Sequence, residues 1–135
     1  MSKKGQALLK AGCGAAGTLL LMDAVYLNVL PFRGVIEKVQ QPRPLQPKWA
    51  SVVLCYALLI AAVTYFGTRL TVGQMALLGA TVYGVYELTN HATLDGWPLW
   101  MVVVDTLWGA ALFAAGGAVV RALIHHSRSK DLLEN

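Results

Sequence analysis

Four stretches of this chain contain no Asp, Glu, Lys or Arg: residues 11–22, 49–68, 70–86 and 97–104. A hydrocarbon core about 30 Å thick, crossed at about 1.5 Å per residue, asks for about 20 consecutive apolar residues. Runs of this kind constrain the fold more than any motif does. The whole chain agrees with them: 13% of its residues are charged, against about 25% in an ordinary soluble domain. A soluble enzyme is therefore the wrong class, and the sequence predicts an integral membrane protein whose first partner is the lipid bilayer.

The spacing predicts an all-α, polytopic antiparallel bundle of four transmembrane helices, at 11–30, 49–68, 70–90 and 97–120, forming a single membrane domain over 1–135. Pro31 ends the first span, because its ring cannot continue the helical ladder. In the segment 31–48, Phe32, Val35, Ile36 and Val39 recur at helical spacing while Arg33, Glu37 and Lys38 fall elsewhere, as in a short helix lying in the interface plane. QPRPLQP, with Pro42, Pro44 and Pro47, predicts an extended spacer, and Lys48 with Trp49 restarts the chain as an interfacial anchor pair. Gly67 to Arg69 reads as a tight hairpin, and Asp95-Gly96 as a turn before Pro98, which suits a helix start. Residues 121–135 are read as a tail on the same side as the N-terminus.

Seven Lys and Arg flank the spans on the side of the two termini (Lys3, Lys4, Lys10, Arg69, Arg121, Arg128, Lys130), against four on the other (Arg33, Lys38, Arg43, Lys48). The positive-inside rule then places both termini on the cytoplasmic side. The basic residues lie at the ends of apolar runs, and no nucleic-acid recognition motif is present, so no nucleic-acid partner is expected. The first apolar stretch outruns a signal peptide and holds Asp23, which predicts a retained span. Small residues repeat every fourth position at Ala76, Ala80 and Gly84 and at Ala110, Ala114 and Ala118, with Gly12, Gly14 and Gly17 slimming the first span. Such faces let helices approach closely in lipid, either inside the bundle or between protomers. Cys13 and Cys55 have no metal or redox spacing and read as small packing residues.

Three acidic residues interrupt the apolar segments: Asp23, Glu87 and Asp105, one each on the first, third and fourth spans. An ionised carboxylate near the bilayer centre costs about 2.5 to 3.5 kcal/mol on permissive scales, so it is turned inward and either paired or functional. Asp23 is eight residues before Pro31 and Asp105 eight after Trp97, so each sits about 12 Å along its helix from the same end. Glu87 is near that end too. Tyr83, Glu87 and Asn90 share one helix face, and His91 follows Glu87 by four. Tyr26 lies one turn from Asp23 and Trp108 one turn from Asp105. Together these eight residues make a candidate polar site for a proton, a cation or a small polar solute. The competing reading makes the acids protonated interhelical ties with no chemistry of their own, in a structural or accessory subunit of a larger membrane assembly or a homo-oligomer. No nucleophile elbow, HExxH, P-loop or dinucleotide motif occurs, so no catalytic residue or cofactor is assigned. His125-His126 point in different directions on a helix and are not assigned a metal.

The block YELTNHATLDGWPLWMVVVDTLWG, from Tyr86 to Gly109, resembles the DUF2177 family of small predicted membrane proteins. Members carry a Tyr-acid-Leu-Thr-Asn run, an Ala-Thr-Leu, a Gly-Trp-Pro, and an apolar helix with an Asp and a Trp-Gly. Met22-Asp23-Ala24 with Tyr26-Leu27, and Pro44 to Tyr56, are similar to the family's first and second spans. Glu87 stands where the family often has Asp, which keeps the carboxyl. The resemblance covers about Leu19 to Val120, implies a four-helix membrane protein, and carries over no catalytic role.

Overall fold

Ser2 opens the first helix: its Oγ accepts the Gly5 amide hydrogen at 3.2 Å, satisfying one of the amides that a helix start leaves without a partner. The structure, a computed structural model, describes residues 2–39 and 46–133, with no strand among them. Five helices follow in chain order: α1 (Lys3–Val29), α2 (Phe32–Val39), α3 (Trp49–Gly67), α4 (Val72–Thr93) and α5 (Leu99–Leu133). Of these, α1, α3 and α5 are long and apolar enough to cross a membrane.

Several boundaries differ from the expected ones, for local reasons. α1 begins at Lys3 rather than Ala11, because Lys, Gln, Ala and Leu are good helix formers whether or not lipid surrounds them. α4 begins at Val72 rather than Leu70 because Thr71 and Gln74 form a capping box: Thr71 Oγ1 accepts the Gln74 amide at 3.3 Å and Gln74 Oε1 accepts the Thr71 amide at 2.9 Å. It ends at Thr93 rather than Asn90. Gly96, at φ +82°, makes the expected turn, a conformation that only glycine enters without strain. Pro98 precedes α5, its carbonyl accepting the Met101 amide at 3.1 Å. At its other end α5 runs on past Val120, so that residues 121–133 of the expected tail continue the same helix. Its extension packs: a Cβ added at Gly14 of α1 would stand 2.5 Å from Leu123 Cδ1.

α2 forms as its periodicity predicts. Phe32 is buried and Val35, Ile36 and Val39 pack beside it, while Arg33 Nε donates to Glu37 Oε1 at 2.9 Å on the outer face. The Pro-rich reading falls mostly on residues 40–45, outside the described ones; Lys48 is extended.

α5 is the common partner, packing against α1, α3 and α4. Side-chain pairings set the directions. Met75, Gly79 and Gly84 of α4 meet Gly117, Gly109 and Thr106 of α5 in descending order, so these helices are antiparallel. Val63 and Gly67 of α3 meet Gly116 and Val120 in ascending order, so α3 and α5 are parallel. The closest approach is Gly79 on the backbone of Gly109, where an added Cβ would collide with the Gly109 carbonyl. That contact belongs to neither small-residue stripe read from the sequence. Of those stripes, Gly84 meets Thr106, whereas Ala118 is exposed; among the glycines of the first span, Gly17 has nothing within 4 Å of an added Cβ. Cys13 and Cys55 are both exposed, so the expectation that they pack inside is corrected: each lies on a face turned away from the other helices.

A core of Ala11, Ala15, Leu19, Val63, Met75, Leu112, Phe113 and Val120 fills the middle of the bundle. On α1 its stripe runs 11, 15, 19 and then Asp23; on α4 Met75, Gly79 and the partly buried Tyr83 lead to Glu87. Steps of four keep a residue on one helix face, so each apolar seam delivers a carboxyl to the same end of the bundle.

Candidate functional site

At that end Asp23 and Glu87 are buried, with relative exposures of 7% and 1%. Burial of a carboxyl demands hydrogen-bond donors, and here they come from aromatic side chains on other helices and, for Glu87, on the α4–α5 connection. Trp108 Nε1 of α5 donates to Asp23 Oδ1 at 2.9 Å, and Tyr56 OH of α3 donates to Asp23 Oδ2 at 3.0 Å. Tyr26 OH of α1 donates to Asp105 Oδ1 of α5 at 2.9 Å. The donors thus cross over: Tyr26 and Trp108, each one turn from an acid on its own helix, serve the acid on the opposite one. Three residues forward on α1 corresponds to three back on α5, as antiparallel helices in register require. The rings of Tyr26 and Trp108 stack between the two bonds, with centroids 4.1 Å apart and planes 2° from parallel.

Glu87 is served by Trp97, whose Nε1 donates to Oε2 at 2.8 Å. Its carboxyl neighbours that of Asp105. Asp105 therefore joins the two halves of the cluster, Tyr26 on one side and Glu87 on the other. Phe32, Trp97, Met101 and Val102 close over this end as an apolar cap, with Phe32 4.9 Å from the Tyr26 ring. Among the described residues no group of three or more His, Cys, Asp or Glu is arranged to hold a metal ion.

The eight residues singled out from the sequence divide. Asp23, Tyr26, Glu87, Asp105 and Trp108 are brought together. Tyr83 borders them, its ring lying over Gly109 and standing nearly perpendicular to that of Phe113, 6.4 Å between centroids. His91 does not reach the acids: its Nδ1 lies 2.8 Å from the Trp97 carbonyl, and since a carbonyl only accepts, His91 donates there. It ties α4 to the residue that carries the Glu87 donor. Asn90 is not joined either; its Nδ2 is buried without a hydrogen-bond partner. Two participants were missed. Trp97 reads in sequence as a boundary residue, and Tyr56 has no acid on its own helix to draw attention to it. The similarity of the second span to an aromatic-rich segment was the one sequence signal near Tyr56.

The model of the family described as "Predicted membrane protein (DUF2177)" matches residues 8–121. That match contains every carboxyl and aromatic donor of the cluster. No curated protein matches the chain, and no solved structure does. Apolar helices of spanning length and a family match over most of the sequence agree, and the chain belongs to the DUF2177 family of predicted membrane proteins.

Proposed function

We propose that Glu87 and Asp105 form a proton-holding pair inside the membrane, with Asp23 anchoring the aromatic residues around it. The observation that carries this is the juxtaposition of the two carboxyls, with no Lys or Arg in the described hydrogen bonds of the cluster. Two like charges so placed in a low-dielectric site repel strongly; one shared proton replaces the repulsion with an O–H···O bond. A proton suits the site better than a cation or a polar solute. Protein donors already occupy oxygens of all three acids, and at 1% exposure Glu87 has no water-sized space beside it.

In the same reading α4 also crosses the membrane, as the third of four spans, since it is 22 residues long and packs along α5, and the chain is one membrane domain. α2 lies along the interface at the acidic end, and both termini face the cytoplasm with the more basic end. Infrared spectroscopy of the reconstituted protein tests the central claim. A protonated-carboxyl band sensitive to hydrogen–deuterium exchange is expected, and Glu87→Gln and Asp105→Asn should each remove it. A spectrum in which neither substitution alters that band refutes the shared proton. Proton flux into vesicles measured with the same variants, and with Asp23→Asn, then tells whether the held proton moves.

A second reading, an accessory subunit of a larger membrane assembly, draws on α3. Only Val63 and Gly67 of that helix are buried, and Trp49, Val53, Leu54 and Leu58 are turned outward. It predicts co-purification with partners, or with further copies, in mild detergent. A chain that runs alone as a monomer rejects it.

A further inference from the structure

The end of the bundle opposite the acids holds a pocket of about 1380 Å³ between the start of α1, the end of α3 and the second half of α5. We propose that this pocket binds the phosphate headgroup of an anionic lipid. Its lining includes Lys3, Lys4, Arg69, Arg121, His125 and Arg128, and no acidic side chain among the described residues. Two of the guanidiniums are held in place before any ligand arrives. Arg69 lies 3.7 Å over the Tyr65 ring, and its Nη1 donates to the Tyr65 carbonyl at 2.7 Å. Arg121 Nη1 of α5 donates to the Leu70 carbonyl in the α3–α4 hairpin. A guanidinium has five N–H donors, so each keeps donors for an oxyanion after these bonds are made.

Ala7, Leu8, Ala61 and Ile124 make the rest of the wall apolar. Small-molecule sites run about 300 to 1,000 Å³, so this pocket exceeds what inorganic phosphate fills. Cations and an apolar wall at the end of spanning helices match a headgroup with the first part of its acyl chains.

Native mass spectrometry of the full chain in mild detergent, titrated with phosphatidylglycerol, phosphatidylcholine or inorganic phosphate, tests this. Retention of phosphatidylglycerol over phosphatidylcholine is expected. Arg69→Gln and Arg128→Gln should each weaken it about five-fold, the effect of one cation near an anionic membrane surface. Lys48→Gln, at the other end of the bundle, should leave it unchanged. Equal retention of the two lipids, or equal loss from Lys48→Gln and Arg128→Gln, overturns the site. Displacement of the lipid by millimolar inorganic phosphate overturns the lipid as its source.

Discussion

Replacing Gly79 by Ala probes the contact that positions α4, and with it Glu87. A Cβ there would collide with the Gly109 carbonyl oxygen and stand 2.7 Å from Phe113 Cβ and 2.8 Å from the Gly109 carbonyl carbon. Carbon atoms rest at about 3.5 to 4.0 Å, so α4 must retreat by about 1 Å. A gap of that size forfeits about a quarter to a half of each contact, and each contact is worth about 0.1 to 0.2 kcal/mol. Over about 40 atom pairs, the number a single buried Leu makes, the loss is about 1 to 4 kcal/mol. The better helix propensity of Ala returns up to about 1 kcal/mol. A net destabilisation of about 2 kcal/mol follows, in the range of other overpacked cores. Gly17→Ala is the control: it is also mid-helix, but nothing lies within 4 Å of its added Cβ, so it should be neutral or stabilising. Unfolding by SDS titration in mixed micelles measures both. If Gly79→Ala proves as benign as Gly17→Ala, α4 and α5 do not touch backbone to backbone and the close-packing argument fails. Infrared spectra of the same variant should show a disturbed carboxyl band, since Glu87 is two turns further along the displaced helix.

Other perturbations reach the cluster directly. Trp97→Phe keeps the apolar cap but removes the donor to Glu87, and should cost about 0.6 kcal/mol, at most about 1.7, by the same unfolding assay; no loss would mean that the indole hydrogen bond is idle. Tyr56→Phe and Trp108→Phe each remove one donor from Asp23, and the double variant should lose more than the sum of the single ones, because only then is the buried carboxyl wholly without donors. Strict additivity in that cycle would contradict their convergence on one acid. Gly96→Ala should destabilise by about 1 kcal/mol through the left-handed backbone at φ +82°, and thermal unfolding unchanged by it would argue against that turn.

Much of the fold was legible because hydrophobic runs report their surroundings directly. The three carboxyls stood out since each breaks such a run; the matched depth of Asp23 and Asp105 followed from counting residues to Pro31 and Trp97, and that of Glu87 from its place near the end of its span. α2 was legible from the spacing of Phe32, Val35, Ile36 and Val39. The capping box at Thr71 and Gln74 was equally present in the sequence and would have placed the start of α4 correctly. α5 beyond Val120 was not legible from hydropathy, because polar residues extend a helix without extending an apolar run.

Periodicity along one helix places a residue at an angle around that helix's own axis and at a height along it. For this chain that determined the membrane class, the helices, and the turning of Asp23, Glu87 and Asp105 towards a common end. It carries no information on which neighbour stands opposite or in what register. Those were decided in three dimensions, by the close approach of Gly79 to Gly109 and of Gly14 to Leu123. Once the registers are set, Tyr26 meets Asp105 instead of Asp23, Trp108 meets Asp23, and Tyr56 and Trp97 enter the cluster, while Asn90 and His91 fall outside it. Hydrogen bonds act over about 3 Å, so a shift of one helical turn between helices, about 5.4 Å, would exchange every donor in the cluster while leaving each helix's own pattern unchanged.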